Sequence, residues 1–291
     1  MANPAMAKIF GYASPEEIMS GITDVARQLY VDPEERAKVR QIIEEQGLVN
    51  NYETQLYRKD GRIIWVSMTM RAVRDEKGQI LYYEGFNEDI TIKKEGIERI
   101  RKALGATVQA MAVTVETRDP YTAGHQRRVA DLARSIATEM NLPADQIDGI
   151  RMAAIIHDLG KISVPAEILS KPTKLTALEF SLIKTHAQSG YDILKDIDFP
   201  WPIARIVLEH HERINGSGYP NGLIAEEALL ESQILAVADV VESMASHRPY
   251  RPALGIDAAL KEIENNRGTL YDNAVADACL RLFREKGYQL Q

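Results

Sequence analysis

The stretch PADQIDGIRMAAIIHDLGK, residues 143–161, decides the fold of the larger part of the chain. Its apolar residues recur at the three- and four-residue spacing of a helix with a buried face. The apolar run ends in His157 and Asp158. Polar groups in such surroundings are costly to bury unless they are hydrogen-bonded, paired or bound to a metal. The stretch therefore predicts a buried helix that carries chemically useful side chains at its end.

Segments on both sides of this stretch share the helical spacing. They are HQRRVADLARSIATEM, TALEFSLIKTHAQSGYDIL, PIARIVLEHHE, ESQILAVADVVESMASHR, IDAALKEIENN and DNAVADACLRLFREKG. The loops between them contain Pro, Gly and Asn, and no long alternating strand pattern occurs among them. We therefore predict an all-α domain over residues 119–291.

All six histidines of the chain lie in this helical part. Asp239 lies within the largely apolar helix AVADVVESM. Inward-pointing His and Asp residues from different helices are what a metal site in a helical core requires. Nitrogen and oxygen donors without a thiolate suit Mn²⁺ or Fe²⁺, although imidazole also accommodates zinc or nickel. The donors exceed one tetrahedral site and predict two adjacent ions, an arrangement typical of phosphate-ester hydrolysis.

Residues 1–92 predict a smaller α+β domain. SPEEI (14–18) and DPEERAKVRQIIEEQ (32–46) have the N-cap, proline and first-turn acids of helix starts. Three runs rich in β-branched and aromatic residues follow, separated by the turn sequences KDG and DEKG. This pattern predicts three consecutive antiparallel strands.

Residues 93–118 predict a connecting helix between the two domains. Ile97, Leu104 and Met111 are seven residues apart, as are Val108 and Val115. This spacing predicts a helix that pairs with a copy of itself and makes the chain a homodimer. Packing of the helix on its own domain would explain the same short pattern equally well.

The composition is that of an ordinary globular protein of 291 residues, with 45% hydrophobic and 26% charged residues. The net charge of −7 argues against a DNA-binding protein. Cys279 is the single cysteine, which excludes an internal disulfide and a Cys-rich zinc site and agrees with a reducing cytosol. The sequence contains neither an apolar run of membrane-spanning length nor a secretory signal, so we expect a cytoplasmic protein.

Several separated motifs together resemble the HD-GYP subfamily of the HD metal-dependent phosphohydrolases. They are RDPYTAGH (118–125), HDLGK (157–161), HAQSGYDIL (186–194), HHERINGSGYP (210–220) and VADVVESMASHRPYRPA (237–253). Their number and order make the resemblance specific, whereas an isolated HD dipeptide would not. The N-terminal part resembles a PAS sensor domain that lacks its usual first two strands.

The resemblance implies a binuclear site in which Asp158 bridges two metal ions. The other ligands of one ion would be His125, His157 and Asp239, and those of the second ion would be His186, His210 and His211. The resemblance further implies that a metal-bridging hydroxide hydrolyses cyclic di-GMP to linear pGpG, and in some members on to GMP. We therefore expect a bacterial signalling enzyme whose activity is regulated by its PAS domain.

The resemblance also assigns residues that contact the substrate. Lys161 would meet a substrate phosphate and act in catalysis with His157 and Asp158, and Arg248 and Arg251 would grip the phosphates. The triplet Gly218, Tyr219 and Pro220 would form a loop that covers the site or meets a partner such as a GGDEF diguanylate cyclase. Tyr121 stands where some members have a glutamate that supports a third ion, so we expect two ions. His247 is expected to be a solvated residue and not a ligand.

Two other functions compete with cyclic di-GMP hydrolysis. The same metal motifs would serve a phosphodiesterase for another cyclic dinucleotide, such as cyclic GMP-AMP. Alternatively, the domain could bind cyclic di-GMP or a cyclase partner without turnover. The presence of every expected ligand in the sequence argues against the non-catalytic alternative.

Overall fold

The computed structural model describes residues 1–118, 124–247 and 253–290. The chain forms two compact units, Met1–Ala103 and Leu104–Gln291. A long helix, Thr91–Glu116, begins in the first unit and ends in the second. The predicted boundaries at 92/93 and 118/119 stay a prediction.

In the first unit, short helices precede a three-stranded sheet. The helices are α1 (Pro4–Phe10), α2 (Pro15–Gly21), α3 (Val25–Gln28) and α4 (Pro33–Gln46). The side chains of Ser14 and Asp32 cap α2 and α4, and Gly47 ends α4 in a left-handed conformation, as the sequence predicts.

The sheet has the antiparallel order β1-β2-β3, with β1 at Leu48–Tyr57, β2 at Ile63–Arg74 and β3 at Ile80–Asp89. The three predicted strands are therefore confirmed. One face of the sheet packs with the helices around a core that includes Phe10 and Ile43.

Helices make up the second unit. They are α5 (Thr91–Glu116), α6 (His125–Glu139), α7 (Ala144–Ile156), α8 (Ala166–Leu169), α9 (Ala177–Leu194), α10 (Ile203–Glu209), α11 (Leu230–Ala245), α12 (Ile256–Asn265) and α13 (Asn273–Arg284). A 3-10 turn, Leu159–Ser163, follows α7. Together with the three-stranded first unit, this confirms the predicted fold class, an α+β part joined by a helix to an all-α part.

Helices α6, α7, α10, α11 and α13 pack around one apolar core. Cys279 lies fully buried in this core, where burial raises the pKa of its thiol to about 12. It is therefore a structural apolar residue. No helix in the described ranges has both the length and the apolar character needed to span a membrane.

The connecting helix α5 has two distinct apolar stripes. Val108 and Val115 are buried in the core of the second unit. Ile97, Leu104 and Met111 are exposed by 40% or more of their surface. Packing on its own domain therefore accounts for one of the two heptad series and leaves the other exposed.

Candidate metal centre

Histidines and aspartates from several separate elements meet in the interior of the second unit. Three overlapping groups, in each of which the donor atoms lie within 4.8 Å of one another, could hold a metal ion. The groups are His186, His210 and His211; His125, His157 and Asp239; and His157, Asp158 and His210. The structure thus brings together every residue that the sequence predicts as a ligand.

These side chains come from helix ends and from two helix interiors. His125 is the first residue of α6, His157 and Asp158 follow the end of α7, and the pair His210–His211 follows α10. His186 and Asp239 lie within α9 and α11. Apart from His211, which is partly exposed, these residues are buried.

A glycine lets the turn after α7 lie directly against α9. A Cβ atom at Gly160 would lie 1.9 Å from the carbonyl oxygen of His186 and 2.4 Å from the amide nitrogen of Gly190. Both distances are shorter than any real contact. Because Gly160 has no side chain, the turn can approach α9 this closely. Asp158, which directly precedes the turn, therefore lies near His186.

Three of the histidine rings are oriented by hydrogen bonds within their own segments. The Nδ1 atoms of His157, His186 and His210 lie 2.7, 2.7 and 2.6 Å from the backbone carbonyl oxygens three residues earlier. A carbonyl oxygen can only accept, so Nδ1 carries the proton and Nε2 carries a lone pair. All three lone pairs are thus available for a metal.

His125 uses a carboxylate in place of a carbonyl group. Its Nδ1 donates to Glu242, whose other carboxylate oxygen accepts from Arg128 at 2.7 Å and from Ser246 at 2.6 Å. Burial alone would raise the pKa of Glu242, but the bonds from His125, Ser246 and Arg128 lower it to about 2. A carboxylate behind a metal-binding histidine is a common supporting arrangement.

The sequence analysis did not identify Glu242. The sequence does contain a signal for Glu242, because an acidic residue three positions after Asp239 in an apolar helix lies on the same face as that aspartate. Only the packing of α6 against α11 shows that this face meets His125.

The two carboxylate oxygens of Asp158 face different histidines. Oδ1 lies 3.5 Å from Nε2 of His186, whereas Oδ2 lies 3.5 Å from Nε2 of His157 and 3.9 Å from Nε2 of His125. Asp239 lies beside the second of these sets, with its Oδ1 at 3.2 Å from Nε2 of His125. Asp158 thus faces His186 with one oxygen and His157 and His125 with the other, and Oδ2 of Asp239 lies 4.0 Å from Nδ1 of His211.

The electrostatics keep several of these side chains in the protonation states that metals bind. Burial alone would raise the pKa of Asp158 and Asp239, but neighbouring cationic and histidine groups, with Lys161 foremost at Asp158, hold both pKa values well below the usual range. Burial lowers the pKa of His210 to about 3 and lowers the pKa of His186 and His211 as well. At neutral pH the aspartates are charged and these histidines are neutral.

The donor set fits divalent metal ions. Nε2 of His186 lies 3.3 Å from Nε2 of His210, and both atoms carry lone pairs because the Nδ1 atoms carry the protons. Two facing lone pairs at this distance repel unless a positive centre lies near both. Carboxylate and imidazole donors without thiolate suit Mn²⁺, Fe²⁺ and similar ions.

The predicted substrate-contacting residues have different positions. Lys161 is largely buried and donates to Oδ2 of Asp158 at 2.6 Å, so its ammonium group lies beside the donor atoms. Arg248, Arg251 and Tyr121 lie outside the described residues. His247 is exposed, as expected, and accepts a hydrogen bond from the backbone N–H of Ala253.

The loop at Gly218, Tyr219 and Pro220 returns to the cluster. The ring of Tyr219 lies 4.6 Å from the ring of His211, centroid to centroid. Burial, followed by the charges of Asp239 and Asp158, raises the pKa of its phenol. The tyrosine therefore covers one side of the histidine pair.

The sequence analysis did not identify Lys184, whose side chain lies next to the Tyr219 ring that covers His211. Its ammonium group lies 5.7 Å from the centre of the Tyr219 ring and 5.4 Å from that of Phe180. Both distances are typical of cation–π contacts.

Comparison with known families agrees with this architecture. An HD domain model matches residues 109–275, which is more than half of the chain, and a PAS domain model matches residues 1–91. The chain therefore belongs to the HD domain family, and the resemblances found in the sequence are confirmed.

Curated relatives match about three fifths of the chain. A cyclic di-GMP phosphodiesterase response regulator, RpfG of Xanthomonas campestris, is 41% identical over 177 residues, covering 60% of this chain and 47% of the relative. A cyclic di-GMP phosphodiesterase of Thermotoga maritima is 42% identical over 172 residues, covering 58% and 47%. A 3'3'-cGAMP-specific phosphodiesterase 3 of Vibrio cholerae is 38% identical over 170 residues, covering 58% and 37%. The chain spans less than half the length of these relatives.

Proposed function

We propose that this chain is a metal-dependent phosphodiesterase that hydrolyses cyclic di-GMP to linear pGpG. The observation that carries the proposal is the division of the Asp158 oxygens between two histidine sets. That arrangement suits two divalent ions bridged by one carboxylate. The ions would stabilise the negative charge that develops on a phosphodiester and lower the pKa of the attacking water.

The protein residues around the donors have their own part in this chemistry. His125, His157 and Asp239 would hold one ion, and His186, His210 and His211 the other, with Asp158 shared. Lys161 would orient a phosphate oxygen, because its ammonium group lies next to the shared carboxylate. Tyr219 would limit the access of water to the histidine pair from its side. Arg248 and Arg251 remain proposed phosphate contacts.

The substrate could be another cyclic dinucleotide, because the chain is similar to relatives named for cyclic di-GMP and to one named for cGAMP. Two relatives are named cyclic di-GMP phosphodiesterases and one is named a cGAMP-specific phosphodiesterase. We favour cyclic di-GMP because the two relatives with higher identity bear that name. Turnover of cyclic di-GMP and 3'3'-cGAMP, measured side by side, decides between them.

The first test is anaerobic incubation of the full chain with cyclic di-GMP and Mn²⁺ or Fe²⁺, with chromatographic separation of the products. Appearance of pGpG supports the proposal, and accumulation of pGpG without GMP supports a two-ion site. The absence of turnover in metal-loaded protein with either dinucleotide would instead favour a binding module.

Substitution of Asp158, the carboxylate proposed to be shared by the two ions, tests the site against a matched control. Asp158→Asn should reduce turnover by several orders of magnitude and abolish stoichiometric metal binding, because the amide cannot supply two anionic oxygens. Asp192→Asn is the control, because Asp192 is an exposed residue of α9 that pairs with Lys195. Equal activity of the two variants would contradict the proposed site.

A further inference from the structure

Two buried carboxylates flank the histidine pair in the sequence EHHE, residues 209–212. Glu209 is 2% exposed and Glu212 is 5% exposed. Within the described part of the chain, neither belongs to a group that could hold a metal ion. Buried charges of this kind are expensive unless fully hydrogen-bonded, so their partners indicate their purpose.

Glu212 holds the segment that follows the Gly218–Pro220 triplet. Its Oε1 accepts from the backbone N–H groups of Asn221 and Gly222 at 2.7 and 3.2 Å. Its Oε2 accepts from the backbone N–H of Leu223 at 3.0 Å. Three successive amides therefore converge on one carboxylate, as in an anion-binding turn.

The loop also lies directly on the backbone at residue 212. A Cβ atom at Gly218 would lie 2.4 Å from the Cα of Glu212, so only glycine allows this approach. The N–H of Tyr219 donates to the carbonyl oxygen of His211 at 3.3 Å. The carboxylate and the close approach together keep the Tyr219 ring on His211.

Glu209 holds a different element, helix α11. Its Oε2 accepts from the backbone N–H of Leu229 at 2.8 Å and from the hydroxyl of Ser232 at 2.9 Å, both at the start of that helix. Its Oε1 accepts from the guanidinium of Arg205. The end of α10 is therefore fastened to the beginning of the helix that carries Asp239 and Glu242.

We infer that Glu209 and Glu212 are positioning residues that hold His210 and His211 in their ligating positions from both sides. Glu209 fastens the pair to α11, and Glu212 fastens it to the loop that carries Tyr219. The inference rests on the proposed metal-binding role of the two histidines. It assigns the glutamates a role in metal affinity although neither would touch a metal.

Replacement of either glutamate by glutamine tests this role. The amide NH₂ of glutamine cannot accept, so at least one donor that now faces a carboxylate oxygen would lose its partner: a backbone N–H at Glu212, and at Glu209 either the Arg205 guanidinium or the Leu229 N–H and the Ser232 hydroxyl. For Glu212→Gln we expect the dissociation constant for Co²⁺ to rise by about 10- to 100-fold, the usual effect of losing a supporting partner of a ligand. Glu209→Gln should have an effect in the same range.

The measurement is titration of the metal-free full chain with Co²⁺ alone, followed by the visible absorption that reports the ligand environment of bound cobalt. Ile206→Val is the control, because Ile206 is buried in α10 and the substitution removes one buried methyl group, which lowers stability without removing a polar contact. If Ile206→Val and Glu212→Gln weaken Co²⁺ binding equally, general destabilisation explains the effect and the inference is overturned.

Limited trypsin digestion gives a readout that requires no metal. Arg213 directly follows Glu212, and its peptide bond to Ile214 lies at the base of the loop. Glu212→Gln should increase the rate of cleavage there severalfold, whereas Ile206→Val should not. Unchanged cleavage and unchanged Co²⁺ affinity in Glu212→Gln would overturn the inference. Failure of the unmodified chain to bind Co²⁺ would overturn the metal site instead, and the cleavage rates would still judge whether Glu212 holds the loop.

Discussion

At the scale of single residues, the group that Nδ1 contacts orients the imidazole ring in four of the clustered histidines. His157, His186 and His210 donate to carbonyl groups of their own segments, whereas His125 donates to Glu242 on another helix. The first three therefore need only a helical backbone to present their Nε2 atoms. The fourth needs the packing of α6 against α11, which makes it the most dependent on tertiary structure.

Gly160 provides a prediction at this scale. Gly160→Ala should lower the free energy of unfolding by about 1–3 kcal/mol or more, because the new Cβ would overlap the backbone of α9. It should also weaken metal binding, since Asp158 and His186 would separate. Chemical denaturation and Co²⁺ titration measure the two effects.

Gly105→Ala is the control for this substitution. Gly105 lies in helix α5 and has open space around its Cβ position. Alanine there should leave stability unchanged or raise it by up to about 1 kcal/mol, because alanine favours a helix. If the two alanine variants behaved alike, the close approach at Gly160 would be irrelevant to the site.

The protonation of the cluster predicts how stability depends on pH. In the folded protein burial lowers the pKa of His210 to about 3 from its ordinary value of 6.5. Between those values the unfolded chain binds a proton that the folded chain does not, so stability falls as pH falls. The slope is about 1.4 kcal/mol per pH unit for each such group. His186 and His211 act in the same direction.

The aspartates extend this loss to lower pH. The pKa values of Asp158 and Asp239 are lowered from 3.8, so the stability they contribute is present above that pH and is lost below it.

Urea denaturation of the metal-free chain at pH 7, 5.5 and 4.5 should show steadily lower midpoints. A midpoint that stayed constant over this range would show that the histidines are not held neutral.

At the scale of elements, α11 supplies two carboxylates from one face. Asp239 and Glu242 are three residues apart, and both reach His125. Glu242→Gln should therefore weaken metal binding by about 10- to 100-fold while leaving every proposed ligand in place. Isothermal titration with Mn²⁺ measures the change.

Glu231→Gln serves as the matched control on the same helix. Glu231 lies in the first turn of α11 and pairs with Gln146, away from the cluster. Its substitution should leave the Mn²⁺ affinity unchanged. Equal losses in both variants would show that the charge of the helix matters and not the bond to His125.

The helices and strands were accessible from local sequence, whereas the supporting contacts were not. Periodicity and capping residues predicted the elements, and the His and Asp residues predicted the cluster. The roles of Glu209, Glu212 and Glu242 depend on which segments meet in space. A glutamate is usually a surface residue, so nothing local distinguished Glu209 and Glu212. The spacing of Glu242 from Asp239 placed both on one helix face, but only the packing of α6 against α11 gave that placement a meaning.

At the scale of the whole molecule, the homodimer stays a prediction, and the exposed stripe of α5 is where it is tested. Ile97, Leu104 and Met111 are 57%, 40% and 44% exposed, and they follow a heptad spacing. Ile97→Glu combined with Met111→Glu should convert a dimer to a monomer in equilibrium sedimentation, because two like charges would enter the seam.

Arg99→Glu is the control, because Arg99 is an exposed residue two positions after Ile97 and therefore lies on the opposite side of the helix. It introduces the same side chain on the same helix and should leave the dimer intact. A chain that stays monomeric at high concentration before any substitution would contradict self-pairing. The exposed stripe would then need another explanation.

The histidine rings held by their own backbones have a consequence for metallation. Because those contacts do not involve a metal, they keep the three rings oriented without an ion, and we expect replacement of one ion by another to require no refolding. Nitrogen and oxygen donors rank divalent ions mainly by the intrinsic order of the metals. The occupant of such a site is therefore decided by which ions the surroundings supply, and preparations grown on different trace metals should differ in content but not in fold.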